Sequence, residues 1–322
     1  MELRILSRAE VVSVSTMASA IDVMARAFGQ LSAGGAEMPV RVALRSGPGI
    51  TLFMPSRLDE EGRRGAKVVS LFQGNRELGL PSIHGVILMV DDETGRPIAL
   101  MDAGELTAIR TAAAAGLAAK LLSHAEASVL TIFGAGAQAL RQIEAVRTVR
   151  PIVEVRCVSR NGESARRLAA GLEDVKALAV RDPEDAVRGA HIVVTATTSS
   201  TPVFPGAALP PGVHVSGVGS FTHEMQEVDV NVVRRARVVV EDRASAMEEA
   251  GDLIIPIGNG DVPADVIDCE LGDIVNGEAP EGRDGRELTF FKSVGTAVQD
   301  VAIGGAVLEA AVKAGVGTVV EL

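Results

Sequence analysis

The sequence predicts an α/β protein in which a doubly wound parallel sheet follows an N-terminal α+β segment. Three observations carry this. Strand-like and helix-like runs alternate from about residue 105 to residue 241, the pattern of parallel strands joined by crossover helices. A glycine-rich turn, Gly134-Ala135-Gly136-Ala137-Gln138-Ala139, joins an apolar strand to a helix. Before residue 105 the apolar runs are instead short and bounded by Gly, Pro or Asp, so they read as an antiparallel sheet with one long helix.

The elements follow in order. A helix begins at Glu10, with Val14, Met17, Ile21, Met24 and Phe28 recurring every three or four residues, and Gly34-Gly35 ends it. Strands are predicted over 40–44, 51–54, 67–71, 86–90 and, after the turn Asp91–Gly95, 97–101. The stretch 105–122 is rich in Ala and Leu, with no Pro, and reads as a helix. Then come a strand at 128–133, a helix at 137–149, a strand at 153–158, a helix at 163–172, a strand at 176–180, a helix at 183–188 and a strand at 192–197. Further strands are expected at 213–218 and 238–241, and a final helix over 293–314 that ends at Gly315. That last helix is expected to pack back on the first domain.

Composition excludes several classes. The chain has 322 residues, suggesting about two domains at roughly 150 residues each. With 31 Lys+Arg against 42 Asp+Glu the net charge is −11, which argues against nucleic acid or an anionic membrane as partner. No apolar run reaches the roughly 18–20 residues needed to cross a bilayer, and the N-terminus lacks a signal pattern. Two cysteines, Cys157 and Cys269, are too few for a disulfide framework or a cysteine metal site, so a reducing cytoplasm is expected and no metal.

The glycine turn carries the sharpest chemistry. It is a G-x-G-x-x-A sequence with a strand before it, a helix after it and a second strand at 153–158. Gly134 permits the tight turn, Gly136 lets a pyrophosphate approach the backbone, and Ala139 lets the helix lie close to the sheet. The helix N-terminus offers free N–H groups and partial positive charge to phosphates. The unit therefore reads as a Rossmann-type dinucleotide site. At the end of its second strand, where an acid would bind a ribose 2′-hydroxyl, stand Ser159-Arg160-Asn161. Arg160 and Ser159 suit a 2′-phosphate, so NADP(H) is the expected cofactor, with NAD(H) as the alternative.

Further motifs resemble the ornithine cyclodeaminase/μ-crystallin family over nearly the whole chain. They are Met38-Pro39-Val40-Arg41, Met54-Pro55, Gly65-Ala66-Lys67-Val68-Val69 and Leu106-Thr107-Ala108-Ile109-Arg110-Thr111-Ala112-Ala113. The glycine turn itself, Thr195-Ala196-Thr197, Gly217-Val218-Gly219, Phe291-Lys292-Ser293-Val294-Gly295 and Gln299-Asp300 complete them. The resemblance implies a homodimer and a Rossmann-type doubly wound parallel sheet inserted in an α+β substrate and dimerisation domain. The implied boundaries are 1–115 plus 299–322 for the substrate domain and 116–298 for the dinucleotide domain.

The family pattern also implies roles. Arg41 and Arg110 would hold the substrate carboxylate, which suits a guanidinium's permanent charge and forked donors. Lys67 would be the active-site lysine, its pKa depressed by the two arginines so that it can exchange a proton with the substrate. Thr111, Val218 and Ser293 would line the nicotinamide and phosphates. Gly134, Gly136, Ala137, Gln138, Ser159, Arg160, Thr195 and Thr197 complete the expected cofactor site, and His84 is a candidate for the substrate cavity. One position departs from the cyclodeaminases: where they carry an aspartate that binds the substrate's side-chain amine, this chain has Phe221, which neither pairs with an ammonium nor accepts a proton. Nearby His223 and Glu224 are candidate proton groups. The expected activity is therefore NAD(P)H-dependent reduction of a small cyclic imino acid, Δ1-pyrroline-2-carboxylate or Δ1-piperideine-2-carboxylate, to L-proline or L-pipecolate. Ornithine or lysine cyclodeamination, an alanine dehydrogenase-like reaction, and a μ-crystallin-like role in binding NADPH and a ligand are the alternatives.

Two decoys fall away. His223-Glu224-Met225-Gln226-Glu227 lacks the second histidine of a zinc protease, and Ser216-Gly217-Val218-Gly219-Ser220 is not a nucleophile elbow.

Overall fold

A computed structural model describes residues 2–321, apart from the side chain of Arg76. The chain divides into two compact units, one made of Met1–Arg110 with Thr296–Leu322 and the other of Thr111–Gly295. The boundaries expected from the sequence lie a few residues C-terminal to these.

The first unit opens with β1 (Glu2–Leu6), α1 (Arg8–Ser13) and α2 (Met17–Ser32). The sequence predicts one helix here and the structure has two. Thr16 starts α2 by accepting the Ser19 N–H, and Ser7 and Glu10 form a reciprocal cap on α1, so Val14 falls between them. Strands β2 (Ala36–Glu37), β3 (Val42–Ser46), β4 (Gly49–Leu58), β5 (Arg63–Leu71), β6 (Ile83–Asp91) and β7 (Pro97–Asp102) follow. Strand β4 runs past the expected 51–54 at both ends, and β5 begins four residues before the expected 67 and ends at 71 as expected. Pro55 sits within β4 because the β3 pairing ends at Phe53 and the β2 pairing begins at Arg57, so one side of β4 is an edge there. Helix α3 (Ala103–Leu122) then begins, reaching the unit boundary at Arg110.

The second unit carries β8 (Val129–Phe133), α4 (Ala139–Val149), β9 (Glu154–Val158), α5 (Glu163–Ala170), β10 (Lys176–Ala179), α6 (Pro183–Val187) and β11 (Ile192–Thr195). It continues through β12 (His214–Gly217), α7 (Val230–Arg235), β13 (Ala236–Val240), α8 (Arg243–Glu249) and α9 (Gly251–Gly258). It ends with β14 (Cys269–Glu270), α10 (Leu271–Val275) and β15 (Leu288–Lys292). The first unit is completed by α11 (Ala297–Ala314) and β16 (Thr318–Glu321). Helix α11 starts four residues later than Ser293 because Thr296 and Gln299 form its capping box; Gly315 ends it in the left-handed conformation, as expected.

The first sheet has the order β16-β1-β7-β6-β5-β4-β2, with β3 also on β4. Its pairings are antiparallel except β1 with β7. One face carries Met54, Lys67, Ile87 and Met101 in a single register row, all buried, and α11 packs on β4, β5 and β6. The second sheet has the order β10-β9-β8-β11-β12-β15-β13-β14, parallel throughout. Strands β8, β9 and β10 step outward one way, and β11, β12 and β15 the other, so the direction reverses between β8 and β11. In open α/β sheets, ligands bind beyond the strand ends at such a reversal.

Candidate active site

The first unit holds a buried ionic cluster. Lys67 on β5 is 2% exposed, Arg110 on α3 is 6% exposed and Asp300 on α11 is fully buried. Lys67 Nζ lies 2.6 Å from one Asp300 carboxylate oxygen, and Arg110 Nε donates to the other at 3.1 Å. A second Arg110 nitrogen donates to Gln299 Oε1 at 2.6 Å. Gln299 is also the residue that caps α11, accepting the Thr296 N–H at 2.9 Å, so the helix start and the guanidinium are fixed together. Burial pulls Lys67 down to about 8 from the ordinary lysine value near 10.5; Asp300 opposes this, while the charges of Arg110 and then Arg41 add to it. The direction agrees with the sequence expectation, but burial outweighs the arginines as its cause. Arg41, half-buried just before β3, thus acts on the same site.

The structure does not bring His84 to this cluster. His84 pairs with Ser70 and is exposed; it lies three residues from Ile87, whose side chain shares the Lys67 face, so it stands on the opposite face of the sheet.

In the second unit the glycine turn follows β8 at the reversal point. Gly134 has φ +102°, and a Cβ there would meet the Ala196 carbonyl oxygen at 2.4 Å. That Gly is therefore required both by its backbone and by the neighbouring strand end. Gly136 is exposed, with open space where a Cβ would be, and Ala137 beside it is exposed too. Gln138 precedes the first turn of α4, and its buried Oε1 has no hydrogen-bond partner within the chain. Ala139, the first residue of α4, is buried. An open glycine, a helix start and an unsatisfied polar atom fit a diphosphate-bearing cofactor. Ser159 accepts the Ala165 N–H and so holds the start of α5, while Arg160 is exposed beyond β9.

The other expected cofactor residues line the neighbouring strand ends. Thr195 ends β11, fully buried; Thr197 donates to Glu227; Val218 follows β12 and is 9% exposed; Thr111 is buried in α3. Ser293 donates to Glu241 at 2.6 Å, and the Gly295 N–H donates to the same carboxylate at 2.9 Å. Phe221 is half-buried, and His223 and Glu224 pair with each other at 2.9 Å on the surface.

Sequence reasoning assigned no role to Glu241, Glu227 or Asp252, and named Lys292, Gln299 and Asp300 only within family motifs. The available signals were those motifs, in one of which Lys292 follows Phe290-Phe291. Among the described residues no His, Cys, Asp and Glu group is placed to hold a metal ion, and no helix is long and apolar enough to cross a membrane.

Comparison with known proteins agrees with this fold. The model of the ornithine cyclodeaminase/mu-crystallin family matches residues 1–315. A Delta(1)-pyrroline-2-carboxylate reductase of Bacillus cereus is 36% identical, over 98% of this chain and 99% of that protein. The structure of Thermococcus litoralis Delta(1)-pyrroline-2-carboxylate reductase with NADH and L-proline superposes with a TM-score of 0.93, at 35% identity, over 98% of this chain and 99% of the other. An archaeal alanine dehydrogenase dimer with bound NAD gives a TM-score of 0.94 at 33% identity, over the full length of both chains. With a family match over nearly its whole length and relatives above 30% identity, this chain belongs to the ornithine cyclodeaminase/mu-crystallin family.

Proposed function

We propose that the protein reduces a small cyclic imino acid, Δ1-pyrroline-2-carboxylate or its six-membered homologue, to the corresponding L-amino acid. The observation that carries this is the buried cluster in which two cations, Lys67 and Arg110, share one carboxylate, Asp300, with the charge of Arg41 acting on the same site, an arrangement that favours an anionic substrate. Asp300 and Gln299 fix the Arg110 guanidinium, whose other N–H groups can fork onto the substrate carboxylate together with Arg41. The Lys67 ammonium, directly or through a water, gives its proton to the imine nitrogen, so the adjacent carbon becomes more electrophilic. A reduced nicotinamide, when bound, would supply the hydride that turns C=N into CH–NH. Lys67, left neutral, is recharged from solvent, which a value near 8 makes easy at physiological pH.

Gly134, Gly136, Ala137 and Gln138 would hold the diphosphate, Thr111, Thr195, Thr197, Val218 and Ser293 the nicotinamide half, and Ser159 and Arg160 the adenosine ribose. Arg160, exposed with no acid at the end of β9, supports NADPH over NADH. Phe221 in place of an ammonium-binding acid weighs against cyclodeamination. The two free cysteines are buried, which suits the cytoplasm.

The uncovered face of the first sheet supports a homodimer. Val42, Phe53, Val68 and Val86 form one register row on the face opposite Lys67, with Val42 57% and Val86 40% exposed. A contiguous apolar face of this kind favours burial against a second copy. Light scattering should give a dimer, and Val86→Glu a monomer.

The enzyme assay is oxidation of NADPH or NADH with Δ1-pyrroline-2-carboxylate and Δ1-piperideine-2-carboxylate. Turnover of either supports the reading. Tight cofactor binding without turnover on any imino acid would refute it in favour of a binding role; turnover only with pyruvate and ammonium would favour an amino-acid dehydrogenase.

A further inference from the structure

The second unit contains another buried ionic cluster, which the chemistry above does not use. Glu227, Asp252 and Lys292 are at most 1% exposed, although they come from the segment before α7, the first turn of α9 and the end of β15. One Glu227 oxygen accepts the Thr197 N–H at 2.6 Å and its hydroxyl at 2.8 Å. The other accepts the N–H groups of Gly219 and Ser220 at 2.8 and 2.9 Å. One carboxylate thus joins the loop that follows β11 to the loop that follows β12. Those loops also touch directly: a Cβ on Gly219 would lie 2.2 Å from the Thr197 carbonyl oxygen.

Glu227 is itself held from behind. Asp252 accepts the backbone N–H groups of Glu227 and Val228 at 2.6 and 3.0 Å, and pairs through its other oxygen with Lys292 Nζ at 2.9 Å. Lys292 in turn donates to the Ser220 carbonyl at 2.6 Å. Burying this much charge is costly, and it is tolerated only because every member is paired. The loops it joins lie beyond β11 and β12, in the half of the sheet on the far side of the reversal from β8, β9 and β10. In a doubly wound sheet one half takes each mononucleotide, and the glycine turn and second strand belong to the adenosine half.

We propose that Glu227, anchored by Asp252 and Lys292, is a positioning residue that holds the loops after β11 and β12 in the shape that receives the nicotinamide half of the cofactor. This rests on the dinucleotide reading of the second unit. Glutamine cannot replace it: its amide has one accepting oxygen, and its NH2 would face N–H donors. Aspartate keeps the charge and all accepting sites.

The test compares NADH with ADP-ribose, which shares the adenosine and diphosphate but lacks nicotinamide, by calorimetric titration of the full-length protein. Glu227→Gln should weaken NADH binding about tenfold or more, the scale of an unsatisfied buried donor, while ADP-ribose changes by less than about threefold; Glu227→Asp should recover most of the loss. Equal weakening of both ligands, or of neither, overturns the proposal. Hydrogen exchange on the unmodified protein needs no variant to fold. NADH should slow exchange in peptides spanning 195–199 and 217–221, and ADP-ribose should not; equal protection by the two overturns the proposal. If the unmodified protein binds neither of these ligands and does not bind NADPH, the dinucleotide reading itself fails.

Discussion

Asp300→Asn removes the charge beside the proposed proton donor, Lys67, while nearly preserving the side chain's shape. Two unit charges 2.6 Å apart attract by roughly 6 kcal/mol at an effective dielectric of about 20, before desolvation is counted. Breaking a buried pair of this kind costs about 3–5 kcal/mol. At 1.36 kcal/mol per unit, loss of the carboxylate lowers the Lys67 pKa by about 2–4 units. The sign is fixed by the chemistry. Lys67 donates as an ammonium, so activity is present below its pKa and is lost as pH rises through it. In the native enzyme kcat should fall above about 8. In the variant the same limb should move to about 5, so that at pH 7 roughly one lysine in a hundred stays charged and kcat drops about 10²-fold. The assay is kcat against pH between 5 and 9.5 at saturating NADPH and imino acid. Both enzymes meet the same substrate, so its own titration cancels in the comparison. An alkaline limb that stays near 8, or moves up, would refute the role of Lys67 as proton donor.

Three other outcomes are expected. Lys67→Ala should lower kcat by about 10²-fold or more with cofactor affinity unchanged, read by steady-state kinetics and NADPH titration. Arg110→Ala should cost about 2–5 kcal/mol of carboxylate recognition, seen as a loss of kcat/KM for the imino acid; unchanged kinetics would remove it from the site. Gly134→Ala places a Cβ 2.4 Å from the Ala196 carbonyl in a backbone conformation that L-residues avoid, so NADPH binding should be lost and Tm should fall.

The alternation of strands and helices between 128 and 197 was legible because a parallel sheet buried on both faces gives continuous apolar runs, and the glycine turn because its backbone demands are local. Other parts were not legible. Strand β1 carries Glu2 and Arg4 and gains its place by pairing with β7 and with β16, both far away along the chain. Strand β15 lies between β12 and β13, yet its sequence Leu288-Thr289-Phe290-Phe291-Lys292 contains two polar residues that no periodicity separates from a loop. Helix α9, with Pro256 inside it, resembles a turn. In the candidate site, Arg41, Lys67 and Arg110 were found through the family's motifs. Asp300 stood in the Gln299-Asp300 motif but was not given a role, because its partners Lys67 and Arg110 lie far away along the chain and its place in a helix's first turn is that of an ordinary surface acid.

The unassigned residues have one property in common: each is a charged or amide group that the sequence pattern would place on a surface and that the structure buries. An acid at the start of α11 looks like a favourable charge near a helix N-terminus. Asp252 in the first turn of α9 looks the same. In the fold, Asp300 meets Lys67 and Arg110, and Asp252 meets Lys292 and the Glu227 backbone. Stability alone does not explain such groups, since apolar residues of equal size often serve a core as well or better. Their arrangement explains them better: Asp300 adjusts the charge of a lysine that must give up a proton, and Glu227 with Asp252 fixes two loops that would otherwise end in unpaired N–H groups. Replacing Asp252 and Lys292 together by Leu and Met leaves the Glu227 and Val228 N–H groups unpaired, so Tm should fall and NADH binding should weaken; if the double variant binds NADH as the native protein does, the cluster serves packing alone.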